Sequence, residues 1–198
     1  MTNPTRSTAA NGSHQPDKEE QILDAVLTLL ARTGIGGISM RAIAAEAGVA
    51  LGLINYHFED KDSLIAAALQ RIGDQDIELV APVPALAPDQ QVRHALRRVA
   101  EDGFLKSEYL GLRLQLWSLA AVDPKFGTIN QTSQTRYRDG LGQLIATARP
   151  DLDRAEVERR SNDILVIQNG IWLTSILILD RPAIERSIER CIEIAFSP

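Results

Sequence analysis

The sequence predicts an all-α protein with a small N-terminal head and a larger C-terminal helical domain. Apolar residues recur at helical spacing through most of the chain, and no segment shows the sustained two-residue alternation and hairpin turns of a sheet. Of the 198 residues, 44% are apolar and 24% are charged, as in ordinary globular proteins. We expect a flexible arm at residues 1–16, a head at 17–62 and a C-terminal domain at 63–198.

The first predicted element is a helix at residues 17–33. Ile22, Val26 and Leu30 recur every four residues and form one apolar stripe that faces a core. Acidic residues in the first turn interact favourably with the helix dipole. The glycine-rich stretch at 34–37 ends the helix and allows the chain to reverse tightly.

Two short helices are predicted next, at residues 39–47 and 51–57. Helices that cross closely need a small residue at their contact, which Ala44 supplies, and a turn residue that tolerates positive φ, which Gly48 supplies. Apolar residues are spaced to fill the angle between the helices: Ile43, Ala47, Val49 and Ile54. This combination predicts a helix-turn-helix, whose second helix is free to enter the major groove of DNA.

The remaining elements are also helical. Asp60 is expected to cap a helix at 61–79, and the prolines within 82–88 mark a linker after it. The domain boundary lies at this linker or slightly earlier, within the preceding helix. Five further helices are predicted, at residues 89–104, 108–122, 126–149, 153–179 and 182–196.

The helix-turn-helix segment resembles the TetR family of bacterial regulators. The family pattern is a helix ending in Gly, then Ser/Thr-x-Arg-x-Ile-Ala-x-x-Ala-Gly-Val, then Gly-x-Ile/Leu-x-x-aromatic/His-Phe-x-x-Lys; here these are Gly34, 39–49 and 52–61. Three C-terminal segments, at 116–117, 123–124 and 169–173, are similar to the BetI-like subgroup. The resemblance implies a TetR-like fold and a ligand-responsive repressor. Such a protein binds a palindromic DNA operator as a homodimer and is released by a small molecule.

Eight residues are expected to contact DNA. They are Ser39, Arg41, Leu51, Gly52, Asn55, Tyr56, His57 and Lys61. An asparagine can read adenine with two hydrogen bonds, and a lysine beside free amides at a helix start can hold a phosphate. For Tyr56 and His57, phosphate contact is what the resemblance implies. Ala50 stands where the family often has a serine cap, and the loss of such a cap costs about 1 kcal/mol.

Eight residues of the C-terminal domain are expected to line an effector pocket. They are Tyr109, Arg113, Trp117, Phe126, Tyr137, Gln168, Asn169 and Trp172. Apolar walls with a few polar anchors are typical of small-molecule sites, although each residue could instead pack a core. The resemblance places a cavity among the middle helices. Two of the set, Gln168 and Asn169, interrupt an apolar helix and need partners if they are buried.

The last two helices are expected to form the homodimer. Residues 164–179 are too apolar for a helix that has one solvent-exposed face. On the final helix, apolar residues stack at four-residue spacing: Ile184, Ile188, Ile192 and Phe196. Four such helices from two chains would form a bundle around a two-fold axis, which also predicts a palindromic operator.

Charge and cysteine content limit the other possibilities. The net charge of −5 does not itself favour DNA binding, so that prediction rests on the motif and on a few local cations. Cys191 is the one cysteine and cannot form an internal disulfide, which fits a reducing cytoplasm. We expect no metal and no cofactor. Neither a signal peptide nor an apolar run long enough to span a membrane is visible.

An enzyme is not expected. The three histidines, His14, His57 and His94, have no evident nucleophile or metal partner, and no phosphate-binding glycine loop occurs. A helical ligand-binding or adaptor protein without DNA binding remains the alternative. Selection of palindromic sites from genomic fragments would distinguish the two.

Overall fold

The computed structural model describes residues 18–198, which form only helices and their connections, so the all-α prediction is confirmed. The expected arm at 1–16 lies outside the described residues. A 3-10 turn at Ile35–Gly37 follows the first helix. The α-helices of the described part are α1 (Lys18–Thr33), α2 (Met40–Ala47), α3 (Leu51–His57), α4 (Lys61–Glu78), α5 (Pro88–Arg98), α6 (Ser107–Val122), α7 (Pro124–Ala148), α8 (Arg154–Ser175) and α9 (Arg181–Phe196).

The head has its own hydrophobic core, built from α1, α2, α3 and the first three turns of α4. The α1 stripe is buried in it, together with Ile43 of α2 and Ile54 of α3. Later helices contribute as well, because Leu112, Leu116 and Phe126 pack into the same cluster. The head therefore rests on α6 and on the start of α7.

A second core fills the C-terminal domain between the end of α4 and helices α5 to α9. The apolar residues of α9 belong to it, since Ile184, Ile188 and Ile192 are buried against their own chain. The expectation that this stripe packs against a partner subunit is wrong for Ile184, Ile188 and Ile192, because their own chain covers them. That the last two helices join two copies stays a prediction. Phe196 is half-buried in the same core, and the Arg93 guanidinium lies 4.7 Å from its ring centre.

Two helices end earlier than the periodicity predicted. α5 ends at Arg98 instead of 104, because the carbonyls of the next two residues bond to side chains of distant helices. The Val99 carbonyl accepts from the Trp172 indole, and the Ala100 carbonyl accepts from Arg181. α8 ends at Ser175 instead of 179, and the chain turns so that the Asp180 carboxylate can accept from the Ala183 amide and cap α9.

Helices α4 and α7 run parallel and in close contact, and this contact connects the two domains. A Cβ added to Gly73 would lie 2.2 Å from the Ser133 hydroxyl oxygen, so only glycine allows this approach. About one turn after Ser133 on α7, Arg136 pairs with Asp74 of α4 at 2.8 Å. The N-terminal halves of both helices consequently run side by side toward the head.

Candidate DNA interface and effector pocket

The turn between α2 and α3 is built as the motif requires. Ser39 caps α2, since its hydroxyl accepts from the Ala42 amide at 3.1 Å. Gly48 has φ of 63°, the left-handed conformation that closes α2, and its amide donates to carbonyls one turn earlier. Ile54 is fully buried and anchors α3 to the head. Ala50 has no side-chain bond to offer, so α3 begins uncapped.

The residues expected to contact DNA are accessible. Six of the eight are exposed, and Leu51 and His57 are half-buried. The exposed residues are Ser39, Arg41, Gly52, Asn55, Tyr56 and Lys61. Tyr56 is 82% exposed, and its ring stands edge-on to the His57 imidazole at 5.2 Å. The outer face of α3 is thus free while its inner face is packed.

Ion pairing in the head leaves two of the cations expected to contact DNA unpaired. Arg32 pairs with Glu46, and Arg71 pairs with Asp24, each at 2.7 Å. Arg41 and Lys61 form no ion pair with any residue from 18 to 198. These two uncompensated charges lie in the first turns of α2 and α4, the helices that flank α3.

Lys125 is a cation near this surface that the sequence analysis missed. It lies in the first turn of α7, beside the start of α4. The Ser63 amide bond lowers the pKa of the Asp60 carboxyl, and the charge of Lys125 lowers it further. Its distance from the motif in sequence hid this lysine, because only the parallel packing of α4 and α7 brings it close.

A buried ion pair lies between α4 and α6. Arg113 of α6 is 3% exposed, and its Nη1 donates to both carboxylate oxygens of Asp76 on α4, at 2.7 and 2.5 Å. The Tyr109 hydroxyl donates to the same carboxylate at 2.9 Å. Burial and the Asp76 charge raise the pKa of Tyr109, which therefore stays protonated. The pair links α4 to α6, the two helices that also reach into the head.

Aromatic rings surround the Arg113 guanidinium. Its central carbon lies 3.8 Å from the Trp172 ring centre, 5.1 Å from that of Trp117 and 5.8 Å from that of Tyr109. Stacking of this kind is a favourable cation–π arrangement and is strongest where water is excluded. Four of the eight residues expected in the pocket are therefore together.

Three further residues of the expected set form polar contacts next to this group, on α7 and α8. The buried Tyr137 hydroxyl donates to Gln168 Oε1 at 2.9 Å, and the Asn169 amide donates to Gln134 at 3.3 Å. Burial raises the pKa of Tyr137. Three buried polar atoms here find no partner in the described part of the chain: Arg113 Nε, Gln168 Nε2 and Asn169 Oδ1.

The space beside the ion pair is small in this conformation. A cavity of about 20 Å³ lies between α4, α6 and α7 and is lined by Gly73, Asp76, Arg113, Trp117, Ser133 and Gln134, among others. That volume suits about one water molecule. Phe126 is not among the lining residues, and its ring is buried in the head core. An organic molecule would fit here only if this cavity widened.

Asp76 was not among the residues expected in the pocket, although the sequence contains a signal for it. Leu69, Ile72 and Asp76 continue one helical stripe, so an acidic residue occupies a position where the pattern calls for an apolar one. A carboxylate on the buried face of a helix needs a buried partner. Arg113, itself within an apolar stretch of α6, is that partner.

No helix between 18 and 198 is both long and apolar enough to cross a membrane. Within the same range, no group of three or more His, Cys, Asp or Glu side chains could hold a metal ion.

The head and the pocket define a helix-turn-helix regulator of transcription with an all-helical C-terminal domain. Residues 22–68 match the family of bacterial regulatory proteins named tetR, and residues 88–194 match the C-terminal domain of BetI-type transcriptional repressors. The chain belongs to the TetR family of transcriptional regulators, in its BetI-type branch. This is a family of DNA-binding regulators and not of enzymes, and an adaptor without DNA binding is not favoured.

Known proteins agree with this assignment. The HTH-type transcriptional regulator BetI of Cronobacter sakazakii is 25% identical over 167 residues, which cover 82% of this chain and 81% of that protein. Crystal structures of a transcriptional regulator from Pseudomonas aeruginosa PAO1 and a TetR regulator from Haloarcula marismortui share the fold. The first has a TM-score of 0.77 at 23% identity and covers 93% of this chain and 92% of that one. The second has a TM-score of 0.77 at 19% identity and covers 90% of this chain and 96% of that one.

Proposed function

We propose that this regulator represses transcription by binding a palindromic operator as a homodimer and is released by a small organic effector. The observation that carries the proposal is the two-sided construction of α3. Ile54 fixes its inner face to the head, while Gly52, Asn55 and Tyr56 stay exposed on its outer face. Because a repressor acts at the chromosome, we place it in the cytoplasm.

In the proposed complex, α3 lies in the major groove. Asn55 reads an adenine edge, and Gly52 lets the helix approach closely. Side chains on the flanks hold phosphates: Ser39, Arg41, Tyr56, His57 and Lys61. Leu51 contacts bases or sugars at the start of the helix. We add Lys125 as a phosphate contact, because it lies beside the start of α4.

The effector site is proposed at the buried group around Arg113. It comprises Tyr109, Arg113, Trp117, Tyr137, Gln168, Asn169 and Trp172, with Asp76 added and Phe126 left out for its place in the head core. Asp76 and Arg113 join α4 to α6, so a ligand that separates them changes how the head is held. Release from DNA requires that the ligand bind the non-DNA conformation more tightly.

The dimer is proposed to form mainly through α8 and the turn after it. Exposed apolar residues are concentrated there: Val166, Leu173, Leu177, Ile178 and Leu179. Gly170 lies among them with open space around it, and a groove of about 610 Å³ is lined by residues of α8, α9 and the turn between them. Exposed apolar patches of this kind mark interaction surfaces. α9 contributes one wall of this groove, while its own apolar stripe is buried inside the chain.

A DNA-binding measurement tests the head. A palindromic site selected from random DNA is titrated with wild type and with the double variant Tyr56→Ala, Lys61→Ala, by fluorescence anisotropy at moderate salt. We expect at least about tenfold weaker binding and a shallower salt dependence, since a phosphate contact is lost. Both side chains are exposed, so the melting temperature should not change.

Lys106→Ala is the matched control, because Lys106 is an exposed lysine in the C-terminal domain. It should bind the operator like wild type. Wild-type affinity in the double variant would contradict the placement of α3 in the groove.

A further inference from the structure

We infer that the effector is an organic carboxylate, bound through the free edge of Arg113 and the amide of Gln168. The inference rests on the proposed effector site and names the chemical class of its ligand. Three observations support it: the unpartnered donors, the occupied aromatic faces and the charge of the cavity.

The hydrogen-bonding pattern of Arg113 leaves one edge of the guanidinium unused. Both Asp76 oxygens lie on Nη1, and the Trp172 ring covers one face of the group. Nε is buried and has no partner among residues 18–198. A buried N–H without an acceptor is costly. The edge that contains Nε is one that a carboxylate can bridge with two parallel bonds.

A second unpartnered donor lies one helical turn from the ring that covers Arg113. Gln168 precedes Trp172 by one helical turn, so both lie on the same face of α8. The Gln168 carbonyl oxygen accepts from the Tyr137 hydroxyl, which leaves its NH₂ group as the free end. Two buried donors around one aromatic enclosure call for a ligand that brings acceptors, with an apolar body to face the rings.

A cationic ligand fits the same enclosure poorly. The aromatic rings are already stacked around a cation, the Arg113 guanidinium. Asp76 is the one carboxylate among the described residues that line the cavity, and it is already paired. A ligand cation would have to expel Arg113 and leave it buried without a counter-charge, which is strongly unfavourable.

A carboxylate leaves fewer groups uncompensated. It pairs with Arg113, and Asp76 keeps the Tyr109 hydroxyl as a donor when its bond to Arg113 loosens. Since Asp76 lies on α4 and Arg113 on α6, competition for the guanidinium weakens the connection between these helices. The ligand charge is thereby coupled to the position of the head.

Calorimetric titration of the full-length protein tests the inference. The probes are aliphatic and aromatic monocarboxylates, each with its matched amide and its matched trimethylammonium compound. We expect a carboxylate to bind at least about tenfold tighter than its amide and its ammonium analogue. Asp76→Asn should tighten carboxylate binding because it removes the competing charge, and it would weaken binding of a cation. Gln168→Leu should weaken carboxylate binding.

A double variant addresses the risk of unfolding. Arg113→Met alone would leave Asp76 buried without a partner, and Asp76→Asn alone leaves Arg113 without a counter-charge until a carboxylate binds, so folding of Asp76→Asn is verified by its melting curve before the titration. Asp76→Asn combined with Arg113→Met removes both charges and can fold. We expect this double variant to melt near wild type and to lose carboxylate binding. Preference for ammonium probes, weaker carboxylate binding in Asp76→Asn, or no carboxylate binding at all would overturn the inference. Operator binding by the unliganded wild-type protein is measured in parallel. If the wild type selected no operator, that result would instead contradict the proposed function.

Discussion

At the residue scale, two neighbouring positions determine how the recognition helix begins. Gly48 adopts the left-handed conformation that ends α2, and an L-residue with a side chain is strained there. Ala50 is the N-cap residue of α3 and has extended backbone angles, φ −68° and ψ 141°. These angles suit a capping side chain, but alanine has no acceptor to offer to the first amides of α3. α3 is therefore held by its apolar face alone.

Replacing Ala50 with serine should supply the missing cap. The serine hydroxyl would accept an amide bond in the first turn of α3, as Ser39 does for α2. We expect the free energy of unfolding to rise by about 1 kcal/mol. For a chain of this size, that corresponds to a rise of about 2–4 °C in melting temperature, measured by circular dichroism.

Ala45→Ser is the control for this prediction. Ala45 is exposed in the interior of α2, where serine is a slightly poorer helix former than alanine. The control should therefore lower the melting temperature slightly. A decrease in Ala50→Ser of the same size would show that no cap forms.

At the element scale, helices with local signals were predicted well. α1 to α4 begin and end within one residue of the predicted bounds, because each has its own cap, glycine or apolar stripe close in sequence. The end of α5 could not be predicted, since Trp172 and Arg181, far away in sequence, bond to the carbonyls of the two residues that follow it. Periodicity identified the apolar stripe of α9 but not the surface that covers it.

The candidate site shows the same division. Arg113, Trp117 and Trp172 were identified by residue type and by resemblance, and the structure brings them together. Phe126 has the same character but packs in the head, because α7 starts beside α4. Asp76 was missed, since a single acidic residue on a helix is usually exposed. The positions of Phe126 and Asp76 depend on contacts between helices that are distant in sequence.

Glu156 connects the start of α8 to the end of α9 and makes the stability of this contact depend on pH. Its carboxylate accepts from Arg159 and from Arg160, and these bonds lower its pKa from the ordinary 4.5 to about 2. Arg160 is buried, and its Nη1 donates to the carbonyls of Ile194, Ala195 and Ser197. Glu156 thus orients the arginine that fastens α9.

Glu156→Gln should remove the pH-dependent part of this stabilisation. Because the pKa is lower in the folded state, the ionised carboxylate stabilises the fold above about pH 4.5, and this contribution is lost as the pH falls toward 2. We expect the variant to melt below wild type at pH 6 and to approach it near pH 2. Glu158→Gln, which removes an exposed pair with Arg154, should change little at either pH. If the difference in melting temperature between wild type and Glu156→Gln were the same at pH 6 and near pH 2, the role of Glu156 would be contradicted.

At the scale of the whole molecule, the two cores are not independent. α4 and α6 each contribute residues to the head core and to the pocket, so a change in the pocket can reach the head through rigid helices. A second head is needed for a palindromic operator, because its half-sites are separated by about one DNA turn or more. Repression therefore depends on the surface that joins two copies.

The exposed face of α8 is expected to be that surface. Val166 is 72% exposed in the single chain, and Gly170 and Leu173 continue its stripe at helical spacing, with exposed Leu177 in the turn after the helix. Val166→Asp would place like charges near the two-fold axis in both copies, which costs several kcal/mol in an apolar contact. We expect a folded monomer by sedimentation velocity and at least about tenfold weaker operator binding. Val122→Asp changes an equally exposed valine, 78% accessible at the end of α6, and should stay dimeric. A dimeric Val166→Asp variant would exclude this face as the interface.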